Sequence, residues 1–372
     1  MSLKCITLEV RKNLHCANVY LQFDHSLTET EFVKIQVDDE SIKLREYSTE
    51  TTISLQGHLT VQARSLSSLV VEENNASFRM NIDTPSPLWP NDDSVDQKVT
   101  KHAPDIEPLA KVKLTCSRCQ NEVTKDDVQF ERILEFPSGT IDVGEFFCHH
   151  GPDLNAVLVP KRNDMFYGFF FMILNAECLK GIRVKEGHVF CGRCLMHLGE
   201  TLFDNKALKI WTDALQEAVF KPRDIESMVS QLMCRILDEC SIGNTMHIMQ
   251  FSKAIVEAVM PTRKKKFILL NILERNLDIL RNVDCSDEDG YNNNWGVVKL
   301  EKCKANKVLY QFHNEDEANA MLKSWLQDIS VHTTRISPTL FSALQRRLEK
   351  NSKLLPEVYR YSNEFILSYV FY

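Results

Sequence analysis

The sequence predicts an α+β protein, mostly β, in three parts: an N-terminal β-domain, a zinc-tethered β-unit and a mixed α/β C-terminal domain. Three observations carry that prediction. Short runs of alternating or β-branched residues recur between turn signals over the first 83 residues. Two Cys-x-x-Cys pairs, Cys116-Ser-Arg-Cys119 and Cys191-Gly-Arg-Cys194, bracket a second strand-rich stretch. Past that stretch a sustained helical period begins, at Ile225–Glu239.

In residues 1–83 the strand runs are Ile6–Val10, Val19–Phe23, Phe32–Val37, Ile42–Leu44, Ile53–Leu55, Leu59–Ala63, Ser68–Val71 and Ser77–Ile82. Asn, Asp, Ser and Gly separate them, and no histidine spacing here suggests a ligand set. Residues 84–109 carry proline, acid and polar residues without period, and read as a linker. Trp89 within it is either a partner anchor or a side chain folded back on the neighbouring domain.

Residues 110–211 form the cysteine-bracketed unit, with strands expected at Val128–Leu134, Leu154–Val159, Tyr167–Leu174, Gly181–Val184 and Ala207–Trp211. Each cysteine pair offers two thiolates from one tight turn, so the two together complete a tetrahedral four-sulfur site for one structural Zn2+. Redox work by either pair is the competing reading, and His188 and His197 are alternative ligands beside the second pair. Between the pairs lies Glu145-Phe-Phe-Cys148-His149-His150-Gly-Pro-Asp153, a thiol beside two imidazoles. It is the place to look for function.

Residues 212–372 are mixed. Asp224 is placed as an N-cap, and Ile225, Met228, Val229, Leu232, Met233 and Ile236 fall on one helical stripe. That stripe faces either the core or, being Met-rich, a partner. Arg263–Lys266 reads as a solvated turn or an import signal, Phe267–Leu270, Val308–Phe312, Ile329–Ile336 and Phe365–Phe371 as strands, and Pro338–Lys350 as a helix.

The bulk numbers bound the class. With 372 residues, 44% of them hydrophobic, the chain is long enough for two or three domains and a large core. A net charge of −7 argues against nucleic-acid binding through phosphate neutralisation. The first residues lack the apolar core of a signal peptide, and the run Met165–Leu174 is too short to span a bilayer. The 12 cysteines therefore read as thiols of a reducing compartment, cytoplasmic and also nuclear.

The two knuckles, the Cys148 loop, Lys307–Gln311 (KVLYQ) and Ser324–His332 (SWLQDISVH) together resemble the HECT-like ubiquitin ligases that bind a ubiquitin-conjugating enzyme. The resemblance runs from about residue 110 onward and is weaker over the N-terminal strands. It implies a ligase that takes a conjugating enzyme and ubiquitin as partners and promotes transfer to substrates for proteasomal degradation. It places conjugating-enzyme binding on the helix around Phe220–Cys240, hence on Met228, Val229, Leu232, Met233 and Ile236. Its HECT-like segment corresponds to Ile336–Tyr372, yet no cysteine follows Cys303, so a thioester cannot form there. Cys148 is then the candidate nucleophile, with His149 or His150 lowering its pKa. The resemblance also implies the endonuclease of pre-mRNA 3′-end processing as an alternative partner. Cys148, His149 and His150 are suited to plug that enzyme's zinc site as ligands; a reduced surface thiol and a share in this chain's own zinc are the other readings.

Overall fold

A computed structural model describes residues 3–27, 33–46, 49–85, 108–126, 128–136, 159–216, 224–242, 252–260, 262–282, 297–315 and 319–371. Residues 3–85 supply strands β1 (Leu3–Arg11), β2 (Cys16–Phe23), β3 (Val33–Asp38), β4 (Ser41–Glu46), β5 (Thr49–Ser54), β6 (Leu59–Val61), β7 (Ser67–Glu72) and β8 (Asn75–Pro85). The cysteine-bracketed stretch supplies β9 (Thr115–Cys116), β10 (Arg132–Glu135), β11 (Asp164–Gly168), β12 (Phe171–Asn175), β13 (Ile182–Lys185), β14 (His188–Cys191), β15 (His197–Leu202), β16 (Ala207–Trp211) and β17 (Leu215–Gln216). Then come helix α1 (Ile225–Ile242), β18 (Ser252–Val259), β19 (Lys265–Asn282), β20 (Val297–Val298) and β21 (Leu300–Asn314). The chain closes with α2 (Ala320–Gln327), β22 (His332–Arg335), α3 (Pro338–Ser352), α4 (Glu357–Arg360), β23 (Tyr361–Ser362) and β24 (Phe365–Phe371). Strands dominate, in an α+β arrangement.

One sheet of 11 strands runs β23-β24-β21-β19-β1-β2-β8-β6, with β18, β22 and β7 attached at its sides. N-terminal and C-terminal strands thus share one hydrogen-bonded surface, joined where β1 lies antiparallel to β19 with Thr7 opposite Arg281. The small sheet β20-β5-β4-β3 packs over the N-terminal half, closing a core of Ile6, Leu8, Val19, Phe23, Ile42 and Ile53. Leu280 and Leu300 enter that same core from the C-terminal half.

β19 is 18 residues long, where the sequence suggested only Phe267–Leu270. It stays in register with β21 by slipping twice, between Ile272 and Leu277, where Asn276 takes φ 54°. A short polar side chain tolerates that left-handed backbone. The expected single strand Tyr167–Leu174 is two strands, β11 and β12, folded back on each other. Its unbroken apolar run conceals a hairpin turn at Gly168-Phe169-Phe170 in which Phe170 has φ 68°. A Cβ at Gly168 would sit 2.2 Å from the Phe171 ring, so a larger residue there requires that ring to move.

Helix α1 begins where Asp224 accepts hydrogen bonds from the backbone N–H groups of Glu226 and Ser227, at 3.3 and 3.2 Å. Helix α3 begins on Ser337, whose Oγ accepts from Leu340 N at 3.0 Å, with Pro338 in the first turn. Both helices lie on the 11-stranded sheet over Ala254, Val256, Ile268, Leu270 and Tyr310. On its other face, Leu322 and Trp325 of α2 pack with Ile255, Phe267 and Leu269.

A charged group is walled into the junction of the two halves. Glu9 of β1 has no exposed surface, and its Oε1 accepts from Lys307 Nζ on β21 and from the Tyr369 hydroxyl on β24, both at 2.5 Å. Its Oε2 accepts from Asn18 Nδ2 and from the Arg11 guanidinium, both at 3.3 Å. Burial alone would push the carboxyl pKa up; Lys307, Tyr369 and Arg11 outweigh it and hold Glu9 below the usual carboxylate value.

Candidate metal centre

The seven-stranded sheet β10-β11-β12-β16-β15-β14-β13 carries one cysteine pair at the end of β14, and the two-stranded β9–β17 carries the other. The two turns are built alike. Cys116 N donates to Asn121 O and Gln120 N to Cys116 O, both at 2.8 Å. Cys191 N donates to Met196 O at 2.8 Å and Leu195 N to Cys191 O at 3.0 Å, the same offsets along the chain. In each turn the residue after the second cysteine adopts a left-handed backbone, Gln120 at φ 57° and Leu195 at φ 59°. These bonds satisfy the turn's own polar groups and leave both thiols pointing the same way.

The Gly181 carbonyl ties the two turns together, accepting from Gly192 N at 2.7 Å and from Asn121 Nδ2 at 2.9 Å. A Cβ on Gly192 would lie 2.7 Å from that carbonyl oxygen, which is why the second knuckle reads Cys-Gly-Arg-Cys. Ser117 N donates to Ala214 O at 3.0 Å, and Cys116 is paired with Leu215 across β9 and β17. The first knuckle is therefore stitched to the chain that leaves the sheet.

The sulfurs of Cys116, Cys119, Cys191 and Cys194 all lie within 4.8 Å of one another and could hold a metal ion. Cys116 Sγ is 3.6 Å from Cys194 Sγ, and Cys119 Sγ is 3.6 Å from Cys191 Sγ. Those separations are too long for a disulfide. They are close to the edge, about 3.8 Å, of a tetrahedron with metal–sulfur bonds of about 2.3 Å. Cys116 and Cys191 are fully buried and their partners half-buried, so such an ion would sit at the base of the knuckles.

Without metal the thiols are not equivalent. Burial pushes Cys116 up to about 12. Cys191 is also penalised by burial, but backbone N–H groups of Cys194 and Arg193 and the neighbouring thiols bring it down to about 7. Cys191 is thus held lower than Cys116 in the fold, and thiols that ligate an ion must release their protons.

His188 and His197 do not join the set; among the described residues the four sulfurs are the only group of this kind. The two rings face each other at 5.5 Å on the adjoining strands, and His197 is 2% exposed. Burial, reinforced by His188, lowers its pKa to about 4, so it is neutral in the fold. Nearby, Arg335 of β22 reaches Glu200 at 3.0 Å and Glu257 at 3.0 Å, clamping the seven-stranded sheet to the large one.

The stripe that the resemblance assigned to a partner faces inward. Met228, Val229, Leu232, Met233 and Ile236 are each at most 2% exposed and pack against the sheet and α3. An apolar stripe shows that a helix is covered on one side, and here its own sheet is the cover. Cys148, His149 and His150 lie outside the described residues, as do Trp89 and most of the expected linker. Arg263 sits in the hairpin turn between β18 and β19, with its guanidinium 3.5 Å from Glu186 and over the Phe190 ring. No described helix is long and apolar enough to cross a membrane.

A large strand-built body with a knuckle-tethered sheet is the architecture of this chain, and its sequence places it in a family. Residues 9–367 match the family described as HECT-like ubiquitin-conjugating enzyme (E2)-binding, and the chain belongs to it. Among curated proteins it is similar to the ubiquitin-protein ligase E-three-D of Rattus norvegicus, 28% identical over 267 residues, covering 68% of each chain. The ubiquitin-protein ligase E-three-D of Mus musculus is 27% identical over 275 residues (68% of this chain, 70% of the relative). That of Homo sapiens, under the same name, is 23% identical over 299 residues (68% and 71%). No solved structure matches the chain.

Proposed function

We propose that this protein is a ubiquitin ligase of the adaptor type, holding a charged conjugating enzyme and promoting ubiquitin transfer to substrates bound for proteasomal degradation. One observation carries the adaptor form. Residues 304–372 contain no cysteine, and Cys303, the last thiol of the chain, is pushed up to about 11 by burial on β21. A transthiolation step needs an accessible thiolate. The four-cysteine centre holds Zn2+ in this reading, because an all-thiolate tetrahedral set suits that ion and leaves no open position for catalysis. The zinc is structural.

Single-turnover discharge of a charged conjugating enzyme, resolved on a non-reducing gel, tests the proposal. The full chain is expected to accelerate discharge with no reducible ubiquitin adduct, and Cys148→Ser to discharge as fast as wild type. An adduct that disappears in Cys148→Ser would replace the adaptor with a covalent ligase at that thiol. Absence of any acceleration would remove the ligase reading.

A second reading rests on residue chemistry at the other oddity. Cys148, His149 and His150 offer a thiolate and two imidazoles in succession, good ligands for the zinc of another protein. We infer from them an inhibitor or chaperone of the 3′-end processing endonuclease, which gives the protein a nuclear as well as a cytoplasmic place. Cys148→Ala is expected to release inhibition of the nuclease; unchanged inhibition would end this reading.

A further inference from the structure

The large sheet carries an exposed edge that neither reading uses. Strand β7 pairs only with β8 among the described residues, and all six of its residues are exposed. Three are consecutive and apolar: Leu69, Val70 and Val71, 48%, 38% and 45% exposed. Edge strands in monomeric proteins are commonly blunted by lysine, proline or a bulge. β7 has neither residue type, and its bulge falls at the start, where Ser68 takes φ 52° and the register slips between Ser67 and Val70. From Val70 to Glu72 the edge runs regularly, and alternate residues of an edge strand turn their N–H and C=O outward.

The chain forms a groove along that regular stretch. Val70 and Glu72 lie opposite Ser77 and Asn75 on β8, and these four with Pro356, Val358 and Tyr359 line it. The wall is fixed in place: the Tyr359 hydroxyl is hydrogen-bonded to Ser77 Oγ at 2.8 Å, and its ring meets Tyr20 edge-on at 5.6 Å. Val358 on α4 is 53% exposed, so both sides of the groove present apolar surface to solvent. Its charge is graded. Glu72 and Glu73 stand exposed at one end without ion-pair partners among the described residues, and Arg79 lies at the other end, opposite Ser67.

We infer that β7 is a docking strand for an extended segment of a partner protein, apolar at alternate positions and basic at one end. Backbone pairing along Val70–Glu72 would supply the register. Side chains of one face of the incoming strand would fill the space between Val70 and Val358, and its basic end would meet Glu72 and Glu73. This is strand addition to a sheet edge, in which main-chain bonds give affinity and alternate pockets give selectivity. The opposite polarity at Arg79 fixes which end of the segment lies where.

The test uses the full metal-loaded chain and a fluorescein-labelled peptide of alternating valine and threonine with lysines at one end, followed by anisotropy. Val70→Lys on β7 and Val358→Glu on α4 are each expected to weaken binding at least about tenfold, as is methylation of alternate peptide amides. Replacing the peptide's lysines with glutamates is expected to do the same. No binding by wild type, or equal binding of the amide-methylated peptide, would overturn the proposal. So would unaltered binding by Val358→Glu, a change on a separate element that stays informative if Val70→Lys disturbs folding. Sedimentation of the free chain covers the remaining occupant: self-association abolished by Val70→Lys, with no peptide binding, would assign the edge to a second copy.

Discussion

Cys116→Ser is expected to release the zinc proposed for the four-sulfur centre, one equivalent per chain, and to unfold the strands β9 to β17 around it. The four sulfurs converge from two distant turns, and Cys116 is at the junction of β9 with β17 as well as in the metal set. An all-thiolate structural zinc contributes about 10–16 kcal/mol of apparent binding free energy, and in such a site that is folding free energy. The total stability of a domain is about 5–15 kcal/mol, so losing a ligand leaves little margin. Elemental analysis of the purified chain would read the zinc, and limited proteolysis would read the unfolding. Cys178→Ser is the control: that thiol is buried in the same core and donates to the Arg162 carbonyl at 3.0 Å, away from the set. Zinc retained in Cys116→Ser, with unchanged proteolysis, would show that the sulfurs do not hold an ion that supports the fold.

The second large effect is expected at Glu9. Glu9→Ala leaves the Lys307 ammonium and the Tyr369 hydroxyl facing each other inside the sheet without their acceptor. Removing one member of a buried ion pair costs about 3–5 kcal/mol, because the other charge stays desolvated. Removing the ammonium as well, Glu9→Leu with Lys307→Met, is expected to recover part of that loss, since no desolvated Lys307 charge is left while the Tyr369 hydroxyl still lacks its acceptor. Denaturant unfolding of the two variants would decide between a charged network and simple packing: equal losses in the single and the double variant would refute the network. The pH dependence has a defined sign. The folded carboxyl is held below its ordinary 4.5, so its stabilisation is complete above 4.5 and is lost as pH falls through the lower folded value.

The two Cys-x-x-Cys knuckles were legible in the sequence because metal ligation fixes residue type and spacing together. Their shared backbone pattern was hidden, since it depends on left-handed Gln120 and Leu195, neither of them a glycine. Helix α1 announced itself through its period and its Asp224 cap. What covers its stripe was not written there, because the covering strands β18 and β19 lie further along the chain. Helix α2 escaped notice for a different reason. It has only eight residues, and its start depends on Asn319 accepting from Leu322 N at 3.0 Å, a cap preceding too few turns to establish a period. The hairpin of β11 and β12 was masked by continuous apolar side chains, where periodicity cannot separate one strand from two. Glu9 had no signal at all: a lone acid in a strand reads as solvated until Lys307 and Tyr369 arrive from residues some 300 positions away.

The pairing of β1 with β19 also has a consequence for how the molecule is made. Thr7 meets Arg281, so β1 is synthesised before a partner that lies 274 residues behind it. At synthesis rates of about 5–20 residues per second that interval is roughly 15–55 s. Throughout it, β1 with β2 and β8 exists as an unfinished sheet whose inner edge is bare and whose Glu9 has not yet met Lys307. A strand edge left bare in this way can pair with other chains, so misassembly during synthesis is the hazard this topology carries.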